Sequence, residues 1–330
     1  MKKVFLYALL GLLLLQSNLS KAQQLSLLNQ YMFNGLYINP AYAGYKGDLF
    51  THAFFRTQWV GVNSAPQTLA IGSDLALSDE HVGLGLVITS DRDGANSTNM
   101  FLSNYAYWVH LNSDLRLSFG LALGGINYAL DGTKLEPNEP NDPSVATARY
   151  NLWLPEANAG VYLTSNRFYV GLSALNMLSR YMPVKREEEN RYIVRNYNQY
   201  MLAAGALITL SEQLELKPSF LLREDLHNPT VMDINLMLLV SKTFWVGLSY
   251  RMSATFGKDY NMDSDYRPSA LAFIADVYAT DNLRIGYSFD FDFSKISYYS
   301  GGSHEISLGY NISSLRKEPK IRRAPRSRHF

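Results

Sequence analysis

The chain has 330 residues, including 23 Tyr, 16 Phe and 4 Trp, no Cys, and a formal net charge of +1. The lack of thiols excludes disulfides, thiolate metal sites and a lipidated cysteine anchor. The near-neutral sum hides a split, because the last fifteen residues hold seven Lys/Arg and one acid while the body before them is acidic.

In chain order, residues 1–22 have the three parts of a secretory signal. Lys2 and Lys3 precede an apolar run from Val4 to Leu15, and Ser20-Lys21-Ala22 provides small residues for cleavage after Ala22. That run is too short to span a bilayer comfortably, and no later stretch reaches the roughly 18 apolar residues of a membrane helix. Residues 23–47 follow, with Gln30-Tyr31-Met32-Phe33-Asn34 and then Asn39-Pro40-Ala41-Tyr42-Ala43-Gly44. Asn-Pro and Ala-Gly are turn chemistry. This piece is expected to be compact and irregular, either at the periplasmic mouth or as a plug in a lumen.

From 48 to 312 the dominant pattern has period two. Leu283, Ile285, Tyr287, Phe289, Phe291 and Phe293 alternate with Arg284, Gly286, Ser288, Asp290 and Asp292, and the stretches from Leu115 and Ile306 behave alike. Such segments have one apolar and one small or polar face. Fourteen are read: 48–58, 66–77, 82–91, 98–111, 115–128, 156–164, 167–177, 199–210, 214–223, 231–240, 243–251, 268–279, 283–293 and 303–312. Most are long enough to cross a bilayer at a tilt, whereas strands of soluble domains average about 5–6 residues.

Very short connections, such as Asn112-Ser113-Asp114 and Ser165-Asn166, alternate strictly with longer ones at 59–65, 92–97, 129–155, 178–198, 224–230, 252–267 and 294–302. Sorting loops by length onto two rims is the mark of a membrane barrel. The predicted fold is therefore an all-β, transmembrane antiparallel β-barrel of about 14 strands (48–312), in the outer membrane with both termini periplasmic and a basic tail at 313–330. Loop 129–155, with Pro137, Pro140 and Pro143 among Glu136, Glu139 and Asp142, is expected to protrude. Gly83, Gly85, Gly120, Gly124, Gly171, Gly247, Gly286 and Gly309 fall on the inward face. They either leave room for a plug or guest chain or relieve curvature.

Catalytic chemistry is poorly represented. The six histidines are scattered without an i, i+4 zinc pair, no Ser stands in a nucleophile context, and no phosphate loop opens a helix. No catalytic residue, metal or cofactor is expected. Asp290 and Asp292 share a strand face and read as a cation site or, more simply, as two solvated carboxylates. The tail is either a disordered end or a contact for an acidic partner, and an exported chain is not expected to meet nucleic acid.

From Tyr37 to Thr68 the chain resembles the PorP/SprF family of Bacteroidota outer-membrane proteins. The residues that carry this are Asn39, Pro40, Ala41, Tyr42, Ala43 and Gly44, then Arg56, Gln58, Trp59, Val60 and Gly61, then Ala65, Pro66, Gln67 and Thr68. The resemblance implies a non-enzymatic barrel in type IX secretion and gliding. Its implied partners are a secreted adhesin-like cargo with a C-terminal sorting domain, other secretion or gliding components, and outer-membrane lipid. As candidate binding residues, Asn39, Pro40, Ala41, Tyr42, Ala43, Gly44, Arg56, Gln58, Trp59, Gly61, Pro66 and Thr68 are either structural or touch a partner. Physically, Pro40 and Gly44 fix a turn, Tyr42 offers an anchor, and Arg56 and Trp59 are expected to pair by cation–π contact, locking the N-terminal segment to the first strand. Two competing classes are a passive channel for small or hydrophobic solutes and an outer-membrane hydrolase.

Overall fold

Alternating segments leave every backbone N–H and C=O pointing sideways, and in lipid only a closed sheet satisfies them all. The computed structural model describes residues 28–77, 81–136, 142, 145–183, 192, 193, 195–254 and 269–312. The strands are β1 (Leu49–Thr57), β2 (Gln67–Leu77), β3 (Val82–Asp93), β4 (Asn96–His110), β5 (Arg116–Asp131), β6 (Arg149–Thr164), β7 (Phe168–Leu175), β8 (Gln199–Ala206), β9 (Ile208–Thr209), β10 (Leu214–Glu224), β11 (Thr230–Val240), β12 (Phe244–Ala254), β13 (Ala270–Tyr278), β14 (Leu283–Asp292) and β15 (Ser303–Ile312). Each pairs antiparallel with its neighbours in sequence, except that β8 and β9 both pair with β10 and not with each other, and β15 returns to pair with β1. The sheet thus closes as an up-and-down barrel, and no helix among the described residues is long and apolar enough to cross a membrane.

Fifteen segments make fourteen staves, as expected, because β8 and β9 are one stave. The break has a simple cause. Pro218 of β10 has no N–H to donate. The ladder lapses there and resumes in the same register, Gly205 opposite Ser219 and Ile208 opposite Leu216.

One boundary differs substantially from expectation. β6 starts at Arg149, not 156, and β5 runs on to Asp131, so the connection expected at 129–155 shrinks to 132–148. Trp153 and Pro155 mask the alternation in the sequence. β7 pairs only with Ala159–Thr164, so Pro155 lies where β6 has a strand on one side only, the setting in which strands tolerate proline.

The outer face is apolar, with Leu84, Leu86, Ile88, Leu121 and Leu123 all exposed. Aromatic rings flank it, Tyr107, Phe168, Phe244 and Tyr310 toward the short turns, Trp153 and Phe293 toward the long loops. Above this band a ladder of polar side chains crosses four strands: Ser90 donates to Asn99, Asn99 to Asn127, and Asn127 to Asn151. The short turns are closed by their own side chains, as where Asn112 Oδ1 accepts from the N–H groups of Asp114 and Leu115 at 2.9 and 2.8 Å. The signal at 1–22, Pro137, Pro140, Pro143 and Glu139, and the tail at 313–330 lie outside the described residues.

Candidate functional site

The lumen is occupied by the chain's own residues 28–47. Three 3-10 turns, Tyr31–Phe33, Gly35–Tyr37 and Pro40–Tyr42, give this segment its shape. Two asparagines start the second and third turns: Asn34 Oδ1 accepts from Leu36 N–H and Asn39 Oδ1 from Ala41 N–H. Pro40 takes the first helical position, where its missing N–H costs nothing. The segment is fully buried over Tyr31–Asn34 and Asn39–Tyr45. Its aromatic side chains meet those of the wall: Phe33 lies edge-on to Trp245, Tyr42 to Tyr162, and Tyr37 to Phe54.

Glycines in the wall let the backbone come this close. A Cβ on Gly83 would collide with the Ala43 carbonyl, and one on Gly120 with the backbone of Pro40 and Ala41. Gly85, Gly171 and Gly286 similarly face Leu36, Asn39 and Gln30. Gly124, Gly247 and Gly309 meet only barrel atoms. Of the two sequence readings, five glycines make room for a plug and three serve the wall itself.

Two polar layers hold the segment at its ends. Arg56, Arg223, Asp233, Arg251, Asp290 and Glu305 all lie near the long-loop ends of their strands, at most 9% exposed. Arg56 grips Asp290 with both terminal nitrogens, at 3.0 and 2.6 Å, and reaches Glu305 at 3.5 Å. Arg251 and Arg223 meet Asp233 at 2.8 and 3.1 Å. Three guanidinium groups thus offset three carboxylates in a site withdrawn from water. The plug completes the layer: Glu305 accepts the N–H groups of Asn29 and Gln30 at 2.8 and 2.9 Å, and the Asn29 amide bridges Asp290 and Arg251.

The second layer lies toward the short turns. Asp74 accepts Gly44 N–H at 2.8 Å, Lys217 donates to the Met32 carbonyl at 2.9 Å, and Trp108 Nε1 donates to the Ala43 carbonyl at 2.8 Å. Arg284 bonds His52 Nε2 at 2.6 Å, meets Asp276 at 3.4 Å and covers the Phe33 ring. Lys46 caps the Phe33 carbonyl at 3.1 Å, and burial, then the nearby Arg284 cation, holds its ammonium well below the ordinary lysine range. The segment therefore descends from the long-loop layer at Asn29 to the short-turn rim, where Gly47 accepts from Ala76 N–H and β1 begins.

Asn39 makes a further connection. Its amide donates to the carbonyls of Val161 and Leu172, at 3.0 and 3.1 Å, stitching β6 to β7. This seam has only six paired positions, and Ser173 of β7 also donates to the plug's Ile38 carbonyl. Asn39→Ala is expected to cost about 1–3 kcal/mol by stranding both carbonyls. Amide exchange should then accelerate in Phe168–Leu175 and stay slow in β2 to β5; uniform protection would contradict this.

The candidate residues of the sequence fall into two groups. Asn39 to Gly44 lie in the lumen, whereas Gln58, Trp59, Gly61 and Pro66 shape the long-loop end of β1 and β2. There Gln58 N–H bonds the Pro66 carbonyl at 2.9 Å, and Val60 exchanges backbone bonds with Gly301 and Gly302. Trp59 and Gly61 adopt positive φ of 45° and 98°. Arg56 and Thr68 stand opposite each other in register and face inward. The expected cation–π pair does not form: Arg56 goes to Asp290, and Trp59 Nε1 donates to Asp292 at 2.9 Å. Buried carboxylates outcompete a ring face for a guanidinium. For the same reason Asp290 and Asp292 are not simply solvated, and no metal-binding cluster occurs among the described residues. Sequence reasoning missed Asp233, Arg251, Arg223, Glu305 and Lys217. Their signal was charge at inward positions of strands whose neighbours are apolar.

The family model for the type IX secretion system membrane protein PorP/SprF matches residues 20–310. The chain belongs to this family. Family and fold together place the PorP/SprF protein in the outer membrane. No curated protein matches it in sequence. Among solved structures it is similar to the CymD monoaromatic hydrocarbon channel, at 13% identity and TM-score 0.49, covering 84% of this chain and 92% of that one. It is also similar to Omp33 of Acinetobacter baumannii, at 7% identity and TM-score 0.46, covering 80% and 99%. A FadL homologue of Pseudomonas aeruginosa matches at 10% identity and TM-score 0.47, covering 85% and 93%.

Proposed function

We propose that this PorP/SprF protein is a non-enzymatic anchor or accessory for a secreted, adhesin-like cargo, holding its C-terminal sorting domain at the outer membrane in type IX secretion and gliding. The observation that supports this most is the filled lumen. Residues 29–47 are tied to the wall by two polar layers and a shared aromatic core, so the barrel is built as a scaffold and not as a passage. The long-loop rim is the surface offered to cargo. Its turn at Gln58–Gly61 is pinned to Gly301–Ser303 by three hydrogen bonds, two at Val60 and one at the Trp59 N–H, which presents an ordered face. Both termini are assigned to the periplasmic side, where the basic tail can meet an acidic partner.

The test is affinity purification of the tagged protein from native membranes, with identification of the chains that come with it. A secreted protein bearing a sorting domain, or a secretion component, is the expected companion. Recovery of neither would overturn the reading. The competing passive-channel function requires the plug to leave, and steady ion conductance of the wild-type protein in a planar bilayer would favour it.

A further inference from the structure

The histidines are scattered along the chain, but the barrel brings two of them together at the short-turn rim. His81 precedes β3 and His110 ends β4. The ladder between these strands runs one step past Val82 and Tyr107, where Trp108 N–H donates to the His81 carbonyl at 2.8 Å. His81 therefore stands opposite Trp108, and His110, two residues further on, projects from the same face of the sheet. Diagonal neighbours of this kind are within reach of ring-bearing side chains. The two imidazole centroids lie 4.9 Å apart with their planes at 81°. Both side chains are exposed.

The proton on His81 is placed by its neighbour. Its Nδ1 is 3.0 Å from the Trp108 carbonyl oxygen. A carbonyl only accepts, so Nδ1 carries the hydrogen and Nε2 keeps a lone pair. A backbone carbonyl on the far nitrogen is the arrangement that orients histidines as metal ligands. Metal–nitrogen bonds of about 2.0–2.1 Å set two imidazoles on one tetrahedral or square-planar ion with centroids roughly 4.5–5.2 Å apart. The observed separation falls in that range. The Arg116 guanidinium, opposite His110 in register, lies over the Tyr45 and Trp108 rings, which draws its charge toward the lumen aromatics.

We propose that His81 and His110 chelate one late first-row divalent cation, through His81 Nε2 and a ring nitrogen of His110, with water in the remaining positions. The bound ion ties the turn before β3 to the end of β4. Two protein ligands make an open site, weaker than a closed four-ligand zinc site. Imidazole ligands place Cu²⁺ above Ni²⁺ and Zn²⁺ in affinity.

The experiment is calorimetric titration of Cu²⁺ and Zn²⁺ into the full-length protein in nanodiscs, purified with a tag that lacks histidine and corrected with empty discs. One saturable site is expected, tighter for Cu²⁺ than for Zn²⁺. His81→Gln and His110→Gln should each weaken it at least tenfold, whereas His304→Gln, on the outer wall, should leave it unchanged. Paramagnetic resonance of the Cu²⁺ complex should show splitting from two nitrogens in the wild type and fewer in either variant. If one variant fails to fold, the other and the wild-type spectrum still decide. Equal titrations of the wild type and the double variant, or a Cu²⁺ spectrum that neither substitution alters, would overturn the proposal.

Discussion

Replacing Gly120 with valine is expected to expel the lumen segment and leave the barrel standing. The new Cβ would overlap the backbone of Pro40 and Ala41; the strand is held by its ladders to β4 and β6, and the plug turn is fully buried, so neither can yield in place. Overpacking a tight interior costs typically about 1–3 kcal/mol and more where backbone is struck. Here backbone is struck, so the plug's own contacts should lose. Three results are expected: faster proteolysis of residues 28–47, ion conductance in a planar bilayer where the wild type is silent, and an unchanged shift between folded and heat-denatured forms on electrophoresis. Gly124→Ala is the control. Its Cβ would strike the Phe101 carbonyl in the neighbouring strand, so it should weaken the barrel without opening it. A silent, protease-resistant Gly120→Val protein would show that the segment is not held by close packing on this strand.

Arg56→Met is expected to have the largest effect of any single charge removal. It leaves Asp290 and Glu305, both at most 2% exposed, facing each other without their shared cation. Breaking a buried ion pair from one side costs about 3–5 kcal/mol. The damage should reach the plug, because the same two carboxylates hold Asn29 and Gln30. Arg56→Lys should recover only part of the loss, since an ammonium cannot reproduce the two-nitrogen grip on Asp290. The double change Arg56→Met with Asp290→Asn should be milder than Arg56→Met alone, because it removes one stranded charge. Thermal unfolding of the three variants checks the order. Equal melting of Arg56→Met and wild type would deny the layer any role in stability.

Alternation and turn chemistry made the barrel legible from the sequence, because period two is a local consequence of strand geometry in a wall with lipid on one face. Turn residues such as Asn112 and Ser165 act on N–H groups two or three residues away, so they too can be read without the fold. The start of β6 was hidden because Pro155 is permitted only by the absence of a neighbour on one side. That absence is a property of β7, not of the residues around Pro155. The motif from Asn39 to Gly44 signalled a turn, and its asparagine and proline do form one.

What the chain cannot encode locally is who faces whom. Arg56 and Asp290 are separated by 234 positions, and Asn29 and Glu305 by 276. Only closure of β15 onto β1 brings them to one layer. The same holds for the inward glycines, which look alike along the chain but face either the plug or the wall depending on where residues 28–47 lie. The sequence by itself determined a closed, antiparallel, outer-membrane wall, since each segment carries its own two-faced pattern. The tertiary structure decided that this wall encloses its own N-terminal segment, because filling a lumen depends on contacts between parts of the chain that share no local pattern.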